Sequence, residues 1–335
     1  MRKLKTAIIG MGKMGGIRYH AAMRQGGYDI VAVCDVNPES MKDFSCMRFT
    51  DAKECIEQSQ PEAVIICTIN SYITDLVCFA LEKGIHVFSE KPPGRNLSET
   101  RQMEAALKES GKVLKFGFNH RYHYSIIEAK TLVDHKLLGD IICARGVYGK
   151  AGSADFSREW RNDLAVSGGG ILLDQGIHML DLLCYFLGDF AEIQSSKDQL
   201  YWSGMPTEDS VFALLKTGDD KIASLHSSAI QWKHKFDLDL ICTDGCISLN
   251  GLLTSTQSYG EERITYYHKD HELRSGKLGN PVEYHMVFDH DDSWGFEMQE
   301  FYEAVASGKP VVNGTIEDAL RVMRMIETIY GEGEL

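Results

Sequence analysis

One long apolar segment, residues 168–188, constrains the fold of this chain more than any other stretch. It opens with three consecutive glycines and continues with apolar residues on every side of a helix, so no face is left for solvent. Asp174, His178 and Asp181 interrupt it at positions i, i+4 and i+7, which places them on one stripe of an α-helix. The segment therefore predicts a buried helix with a single polar line.

Buried charges on that line need partners or a wet cavity, because an unpaired buried charge costs at least several kcal/mol. For Asp181 the sequence favours a structural role, as part of a polar stripe that holds two domains together. For Asp174 and His178 it favours a cavity, since an imidazole beside a carboxylate suits proton transfer and the preceding glycines allow close approach of another molecule. The alternative for Asp174 and His178 is the same polar stripe between two domains.

Length and charge exclude several classes of protein. At 335 residues the chain exceeds what one hydrophobic core usually supports, which predicts two domains. The net charge of −13 argues against nucleic acid or an anionic membrane as a general partner. A run of about 18 apolar residues is missing, so no transmembrane span is expected. A glycine-rich turn stands where a signal peptide would be cleaved, which argues against a signal peptide.

The nine cysteines are scattered through apolar segments. This distribution is typical of reduced core residues in a cytoplasmic protein. Cys242 and Cys246 are the closest pair and flank a turn, and the sequence assigns them no metal.

A glycine-rich turn links a short buried strand at residues 5–9 to a helix that continues to about residue 25. The turn consists of Gly10, Met11, Gly12, Lys13, Met14 and Gly15. In this context the motif predicts a dinucleotide site, because the glycines let the backbone reach a pyrophosphate at the N-terminal end of the helix dipole.

Asp35 closes the next apolar strand, residues 30–34. At this position a carboxylate would accept hydrogen bonds from the adenosine ribose hydroxyls and repel a 2′-phosphate, so NAD is predicted as the cofactor and NADP is less favoured. The alternative is that Asp35 is a turn residue before Asn37 and Pro38.

Strand and helix patterns alternate up to residue 120, with further strands at 63–68, 84–88 and 113–118. The alternation predicts an N-terminal Rossmann domain, residues 1–120, with a doubly wound parallel sheet. Ligands of such sheets bind beyond the carboxyl ends of the strands, where Glu90 and Lys91 stand. Two prolines follow, and they favour a rigid turn that a cis Lys91-Pro92 bond would suit. The alternative for Glu90 and Lys91 is a solvated surface pair.

After residue 120 the pattern changes to alternating strands at 140–148, 210–215, 222–229, 236–241 and 247–249. These predict an α+β domain, residues 121–335, with a large, open, mostly antiparallel sheet on which the 168–188 helix packs. Helices at 293–307 and 315–330 are expected to close this domain. Few helices remain for the other face of the sheet, so a second subunit is expected to cover it in a homodimer or homotetramer.

Several motifs, taken together, resemble one family. They are GMGKMG at 10–15, EKPPG at 90–94, GFNHR at 117–121, Trp160-Arg161 and GGGILLDQGIH at 168–178. The combination resembles the Gfo/Idh/MocA family, named for glucose-fructose oxidoreductase and inositol dehydrogenase, over nearly the whole chain. The resemblance implies a Rossmann domain, an open-sheet domain, bound NAD(P), and oxidation or reduction of a sugar, cyclitol or sugar derivative, nucleotide sugars included.

The resemblance also implies which residues form the site. Lys91, Asp174 and His178 match the catalytic positions. The cofactor set is the glycine turn together with Asp35, Thr68, Asn70, Glu90 and Lys91. The substrate set is Lys91, Asn119, Arg121, Trp160, Arg161, Asp174 and His178. The chain departs from the commoner pattern at Pro93, His120, Tyr122 and Gln175, which leaves the identity of the substrate open.

The residue types then suggest a chemistry. Oxidation of a secondary alcohol requires a base for the hydroxyl proton while a hydride leaves the carbon. His178 is a suitable base, and a cationic Lys91 would donate to the oxygen and stabilise the developing alkoxide. A desolvated Lys91 is the competing candidate for the base, and the sequence does not decide between them. Asp174 would position the substrate or Lys91.

Two other functions are compatible with the same sequence. One is an enzyme that retains its NAD and acts by transient oxidation, of the glycosidase or lyase type. The other is a non-catalytic sensor that binds a dinucleotide and a metabolite. A sensor would be expected to lose the catalytic trio, which this chain has in full.

Overall fold

The computed structural model describes residues 2–153, 155–254, 256–269 and 281–331. The chain forms two compact units. The first comprises Met1–Asn119, Ala165–Gly168 and Asp292–Met323, and the second comprises His120–Leu164, Gly169–Asp291 and Arg324–Leu335. The unit changes after Asn119, and the later segments 165–168 and 292–323 group with the first unit. The division into domains 1–120 and 121–335 stays a prediction.

The first unit is built on a six-stranded parallel sheet. Its strands are β1 Leu4–Ile9, β2 Tyr28–Cys34, β3 Met47–Phe49, β4 Ala63–Ile66, β5 His86–Glu90 and β6 Leu114–Gly117. Their order is β3-β2-β1-β4-β5-β6, which confirms the doubly wound sheet. The direction of strand addition reverses between β1 and β4, and ligands bind at this switch point in such sheets.

Four helices connect these strands. They are α1 Lys13–Gln25, α2 Ala52–Ser59, α3 Asn70–Glu82 and α4 Leu97–Ser110. The helix α4 begins at Leu97, because the side chain of Asn96 accepts a hydrogen bond from the backbone N–H of Glu99 and caps the helix. Gly111 ends α4 in the left-handed conformation, with φ of +61°.

The second unit contains an eight-stranded sheet. Its strands are β7 Ile141–Gly149, β8 Phe190–Asp198, β9 Ser210–Thr217, β10 Ile222–Ser228, β11 Lys235–Cys242, β12 Gly245–Asn250, β13 Glu262–His268 and β14 Tyr284–Phe288. The order is β14-β13-β12-β11-β7-β10-β9-β8. Only the β7–β10 pair is parallel among the described strands of this sheet, so the mostly antiparallel sheet is confirmed.

The second unit also contains helical segments. They are α5 Tyr124–Asp134, a π-helical turn at Leu172–Gly176 and, after the short helix α6 Leu164–Ser167, which groups with the first unit from Ala165 onward, the helix α7 Ile177–Leu187. Every residue of α7 except Tyr185 is buried, which confirms the predicted buried helix. The stretch Leu164–Leu187 is long and apolar enough to cross a membrane by length and composition alone. However, 83% of its most apolar window is buried within the protein, as in a core helix.

The last two helices correct the sequence prediction. The helix α8, Ser293–Ser307, packs within the first unit, where the Tyr28 hydroxyl donates to the Met298 carbonyl at 2.6 Å. The rings of Phe88 and Phe301 also pack together there, with centroids 5.7 Å apart. The helix α9, Ile316–Tyr330, belongs to the first unit through Met323. A helical pattern shows where a helix forms but not which sheet it covers, so the prediction that both helices close the second domain was wrong.

Candidate active site

The glycine turn after β1 is tight at its first and third glycines and open at the second. Gly10 has φ of +90°, and a Cβ there would lie 2.5 Å from the Cys67 carbonyl oxygen. A Cβ at Gly15 would overlap the Gly10 carbonyl oxygen, whereas Gly12 has nothing within 4 Å. This geometry leaves the N-terminus of α1 accessible to a pyrophosphate. Of the intervening residues, Met11 is buried, Met14 is half-buried and Lys13 is exposed.

Asp35 is fixed beside this turn. Its Oδ2 accepts a hydrogen bond from the Met11 N–H at 2.7 Å, and its Oδ1 accepts one from the Asn37 N–H at 2.8 Å. The carboxylate keeps further lone pairs for ribose hydroxyls. The segment that follows Asp35, residues 36–38, contains no Lys or Arg to pair with a 2′-phosphate.

Two further predicted cofactor residues follow β4. The backbone N of Thr68 lies next to Gly10, 3.0 Å from the position a Cβ would take there. The Thr68 hydroxyl is buried and has no hydrogen-bond partner among the described residues, so a ligand at the turn would satisfy it. Asn70 is buried, and its side-chain N–H donates to the Ser167 carbonyl at 2.7 Å. The residues around the turn therefore fit a dinucleotide, while the amide nitrogen of Asn70 is engaged within the protein.

The Lys91-Pro92 bond after β5 is cis, as the sequence suggested. Lys91 is half-buried, and Glu90 is only 6% exposed. Arg18 donates from Nε to the Glu90 carboxylate at 2.6 Å and stacks over the Phe88 ring at 4.3 Å. The solvated-pair interpretation is therefore wrong for Glu90. Its carboxylate is engaged with Arg18, and the predicted contact of Glu90 with the cofactor stays a prediction.

Asp174 lies in the π turn of the second unit, between two cations. The Lys150 ammonium contacts its Oδ2, and Arg161 Nε lies 3.4 Å from its Oδ1. The Arg161 guanidinium stacks over the Trp160 ring at 4.6 Å. Both cations favour the charged carboxylate. Sequence reasoning found Trp160 and Arg161 but missed Lys150, which follows β7 and has no motif around it.

His178 is 4% exposed and stacks on His120, with ring centroids 3.8 Å apart and planes 15° apart. His120 Nε2 lies 2.9 Å from the Tyr148 hydroxyl. Tyr148 also hydrogen-bonds Tyr259, whose hydroxyl donates to the Gln175 side-chain oxygen at 3.4 Å. A chain of polar groups thus leads from the imidazole pair to the residue beside Asp174.

Burial is the main cause that raises the pKa of both Tyr148 and Tyr259, which keeps the two hydroxyls neutral. Sequence reasoning missed both tyrosines. Tyr148 lies in β7 and Tyr259 between β12 and β13, so only the folded sheet brings them together. His120 was noticed only as a departure from the commoner family pattern.

Asp181 and Arg121 form a buried bidentate ion pair. Arg121 donates from Nε and Nη2 to the two carboxylate oxygens at 2.9 and 2.6 Å, and the side chains are 4% and 0% exposed. This geometry matches the structural role expected of Asp181. Two of the Arg121 nitrogens are thus engaged with Asp181 within the second unit, and the substrate-binding role of Arg121 stays a prediction. Asn119 is buried at the end of the first unit, and its substrate role stays a prediction.

The helix that carries Asp174, His178 and Asp181 is not regular throughout. The Ile177 N–H bonds to the Leu172 carbonyl, an i→i+5 bond that defines the π turn. Asp174 lies within this turn and contacts Lys150 and Arg161, His178 stacks on His120, and Asp181 pairs with Arg121. The predicted catalytic roles of Asp174 and His178 stay predictions.

The three glycines before this helix do not form an entrance for a ligand. A Cβ at Gly168 would overlap Arg95, one at Gly169 would overlap the Tyr330 hydroxyl, and one at Gly170 would overlap the Glu208 backbone. Each glycine thus admits close approach by the protein itself. Glu208 accepts hydrogen bonds from Gly170 and Leu172 N–H groups, both at 3.0 Å, and burial raises the pKa of its carboxyl.

Comparison with known families identifies the class of the protein. Residues 4–118 match the oxidoreductase family with an NAD-binding Rossmann fold, GFO/IDH/MocA, and residues 126–248 match the GFO/IDH/MocA C-terminal domain. The chain belongs to the GFO/IDH/MocA family, and residues 4–118 match the NAD-binding Rossmann domain of that family. The predicted family, fold class and NAD cofactor are confirmed.

The chain is also similar to characterised proteins. It is 31% identical over 196 residues to D-glucoside 3-dehydrogenase of Escherichia coli strain K12. This match covers 55% of this chain and 54% of that protein. It is 24% identical to 2,7-anhydro-N-acetylneuraminate hydratase of Mediterraneibacter gnavus, over 83% of this chain and 81% of that protein. The chain spans about half the length of the first of these relatives.

The fold is shared with solved structures. Levoglucosan dehydrogenase in complex with NADH and levoglucosan superposes with a TM-score of 0.86, over 99% of this chain and 97% of that chain, at 19% sequence identity.

Proposed function

We propose that the protein is an NAD-dependent dehydrogenase that acts on a secondary alcohol of a sugar, a cyclitol or a sugar derivative. The observation that carries this proposal is the buried His178, which is stacked on His120 in the same unit as the Asp174 cluster. Family membership and the similarity to a glucoside dehydrogenase support it. When bound, NAD supplies the hydride acceptor.

The residues of the chain handle the proton and the charge. His178 accepts the hydroxyl proton, and the stacked His120 holds its ring in one orientation. Lys91 is the cation that we propose stabilises the negative charge of the developing alkoxide. Asp174, held by Lys150 and Arg161, accepts hydrogen bonds from neighbouring hydroxyls of the substrate.

A substrate screen tests the proposal. Polyols, free sugars, uronic acids, simple glycosides and nucleotide sugars are each incubated with the protein and NAD, and formation of NADH is followed by absorbance. Oxidation of at least one class is expected, and it should be lost in the His178→Asn protein. If no class is oxidised although NAD binds, the dehydrogenase assignment is wrong.

A second function is favoured by one observation: the hydratase relative matches 83% of this chain. In this case the chain would retain its NAD and act by transient oxidation. The same incubations analysed by chromatography distinguish the two functions. Conversion of the substrate without net formation of NADH supports the retained-cofactor enzyme.

We also propose that the sheet of the second unit forms a subunit interface. Phe212, Leu214 and Ile222 on the neighbouring strands β9 and β10 are each more than half exposed, and Phe212 stacks on His226 with ring centroids 3.9 Å apart. A second copy on this face would give a homodimer or homotetramer. Light scattering at micromolar concentration tests this, and a mass near 37.6 kDa would contradict it.

The cytoplasm is the compartment we infer. All nine cysteines lie within the described residues, and none of them forms a disulfide there. Reduced thiols are typical of cytoplasmic proteins.

A further inference from the structure

An aromatic platform lies in the second unit, formed by Tyr201, Trp202 and Trp232. The rings of Tyr201 and Trp232 meet edge to face, with centroids 4.7 Å apart. The Trp202 ring packs against both, with its centroid 5.1 Å from that of Tyr201 and 6.1 Å from that of Trp232. Trp202 is anchored, because its Nε1–H donates to the Ala229 carbonyl at 3.0 Å. Tyr201 and Trp232 are 59% and 60% exposed. Two large rings are therefore presented to the outside on a fixed base.

The segment that carries Tyr201 is held rigidly by one buried carboxylate. Asp209 is fully buried and accepts hydrogen bonds from the backbone N–H groups of Leu200, Tyr201 and Trp202, each at 2.9 Å. Charge-assisted bonds of this kind fix the backbone before any ligand arrives.

Trp232 is held in an unfavourable conformation. It lies in the loop between β10 and β11 with φ of +55°, a left-handed backbone that bulky residues rarely adopt. Such strain persists only where the surrounding structure imposes it, and it is concentrated at ligand-binding sites. The strain orients an exposed ring that has no packing role in the core.

The same loop runs beside the Asp174 cluster. The Gln231 N–H donates to the Lys150 carbonyl at 3.1 Å, and Lys150 is the residue whose ammonium contacts Asp174. Further along the loop, His234 meets the Tyr259 ring edge to face at 4.9 Å, and Tyr259 bonds Gln175. The platform is thus tied through short backbone and side-chain contacts to the candidate site.

We propose that Trp232 and Tyr201 form a second saccharide subsite, which stacks a pyranose ring attached to the sugar that is oxidised. The C–H groups of a pyranose present an apolar face to an aromatic ring, and its hydroxyls remain at the edge for polar groups such as Lys150 and Gln231. The substrate is accordingly a glycoside of at least two rings. This inference rests on the proposed function, because it places the reacting sugar at Asp174 and His178.

A second copy of the chain is a poorer occupant of this platform. The exposed parts of the two rings amount to roughly 200–300 Å². A stable protein interface buries about 800 Å² on each partner. The platform therefore matches one sugar ring better than a subunit.

Calorimetric titration of the NADH-loaded protein tests the subsite without turnover. The probes are methyl β-glucoside and methyl α-glucoside, each paired with the corresponding disaccharide, methyl β-cellobioside or methyl α-maltoside. We expect a disaccharide to bind at least tenfold more tightly than its monosaccharide. Trp232→Ala should abolish this difference and leave monosaccharide affinity unchanged, whereas Trp232→Tyr should retain most of it. Tyr284→Ala, which removes another half-exposed aromatic of the same unit, should behave as the unmodified protein.

Several results would overturn the subsite. These are equal affinity of the unmodified protein for mono- and disaccharides, an unchanged difference in Trp232→Ala, or a loss of oligomer in that variant with saccharide binding intact. Should the alanine variant fold poorly, Trp232→Gly serves instead, since glycine accepts the left-handed backbone. If the disaccharide preference depends on Trp232 but no saccharide is oxidised, the dehydrogenase proposal fails and the subsite stands.

Discussion

The imidazole rings of His120 and His178 lie nearly parallel, with centroids 3.8 Å apart. Two stacked imidazolium cations at this distance would repel each other strongly in a buried site. The His120 ring fixes the orientation of the proposed base, and His120 Nε2 itself lies 2.9 Å from the Tyr148 hydroxyl.

Replacement of His178 tests that role. His178→Asn should lower turnover by about a hundredfold or more, because the variant lacks a group that accepts a proton. The limb of the pH–rate profile near neutrality should flatten at the same time. The measurement is kcat against pH for the variant and the unmodified protein. Normal turnover and an unchanged pH–rate profile in this variant would indicate that Lys91, and not His178, is the base.

Replacement of Lys91 separates catalysis from cofactor binding. Lys91→Met should lower turnover by about a hundredfold, since a cation that stabilises the alkoxide is lost. NAD affinity should change little, because the glycine turn and Asp35 are untouched. Turnover and NAD titration are measured on the same preparation. A large loss of NAD affinity at normal turnover would show that Lys91 serves the cofactor instead.

The Asp35 carboxylate should decide between NAD and NADP. Fluorescence titration of the unmodified protein is expected to show tighter binding of NAD, because a 2′-phosphate would meet the carboxylate without a compensating cation nearby. Asp35→Ser should weaken NAD binding and narrow the difference between the two cofactors. Tighter binding of NADP by the unmodified protein would contradict the assignment.

The buried Arg121–Asp181 pair should matter for stability rather than for chemistry. Asp181→Asn leaves the Arg121 charge without its carboxylate, at a cost of about 3–5 kcal/mol in the free energy of unfolding. Denaturant unfolding measures the loss, and turnover is measured at a temperature where the variant is still folded. A large fall in kcat with unchanged stability would indicate that Asp181 takes part in catalysis.

The buried cluster around Arg18 should make stability depend on pH. Burial raises the pKa of Glu297 from 4.5 to about 7, although Arg18 Nη1 lies 2.6 Å from its carboxylate and opposes the rise. The folded protein then binds a proton more tightly than the unfolded chain between these two values. The free energy of unfolding should therefore fall as pH rises from about 4.5 to about 7.

The control for this prediction is Glu297→Gln, which remains neutral at every pH. Its unfolding free energy should lack the fall across that pH window. Urea unfolding at several pH values provides the measurement. A fall of equal size in the variant would assign the pH dependence to another group.

The sequence predicted most of the architecture because the signals were local. The strand before Gly10 and the acid after β2 lie within a single βαβ unit, and the structure places Asp35 beside the turn as expected. The alternation after residue 140 likewise predicted the second sheet. The prediction that failed, the assignment of the last helices to the second domain, depended on long-range packing. The helix α8 has the pattern of any amphipathic helix, and only the contacts of Met298 and Phe301 assign it to the first unit.

The candidate site shows the same limit. Asp174 and His178 were recognised from one motif, whereas their partners Lys150 and His120 come from distant parts of the chain. The predicted stripe assumed a regular period of 3.6 residues per turn. No residue type in the segment signals the π turn at Leu172–Gly176, so this departure from a regular helix could not be predicted from spacing.

The extra residue in that π turn makes the site sensitive to length in a way that no substitution reproduces. An α-helix advances about 100° and about 1.5 Å per residue, so loss of one residue between Leu172 and Gly176 would turn and shift the segment before α7 relative to α7. The contact of the Lys150 ammonium with Asp174 and the close approach of Gly170 to the Glu208 backbone both depend on the present length of the turn. Side-chain substitutions leave that length unchanged.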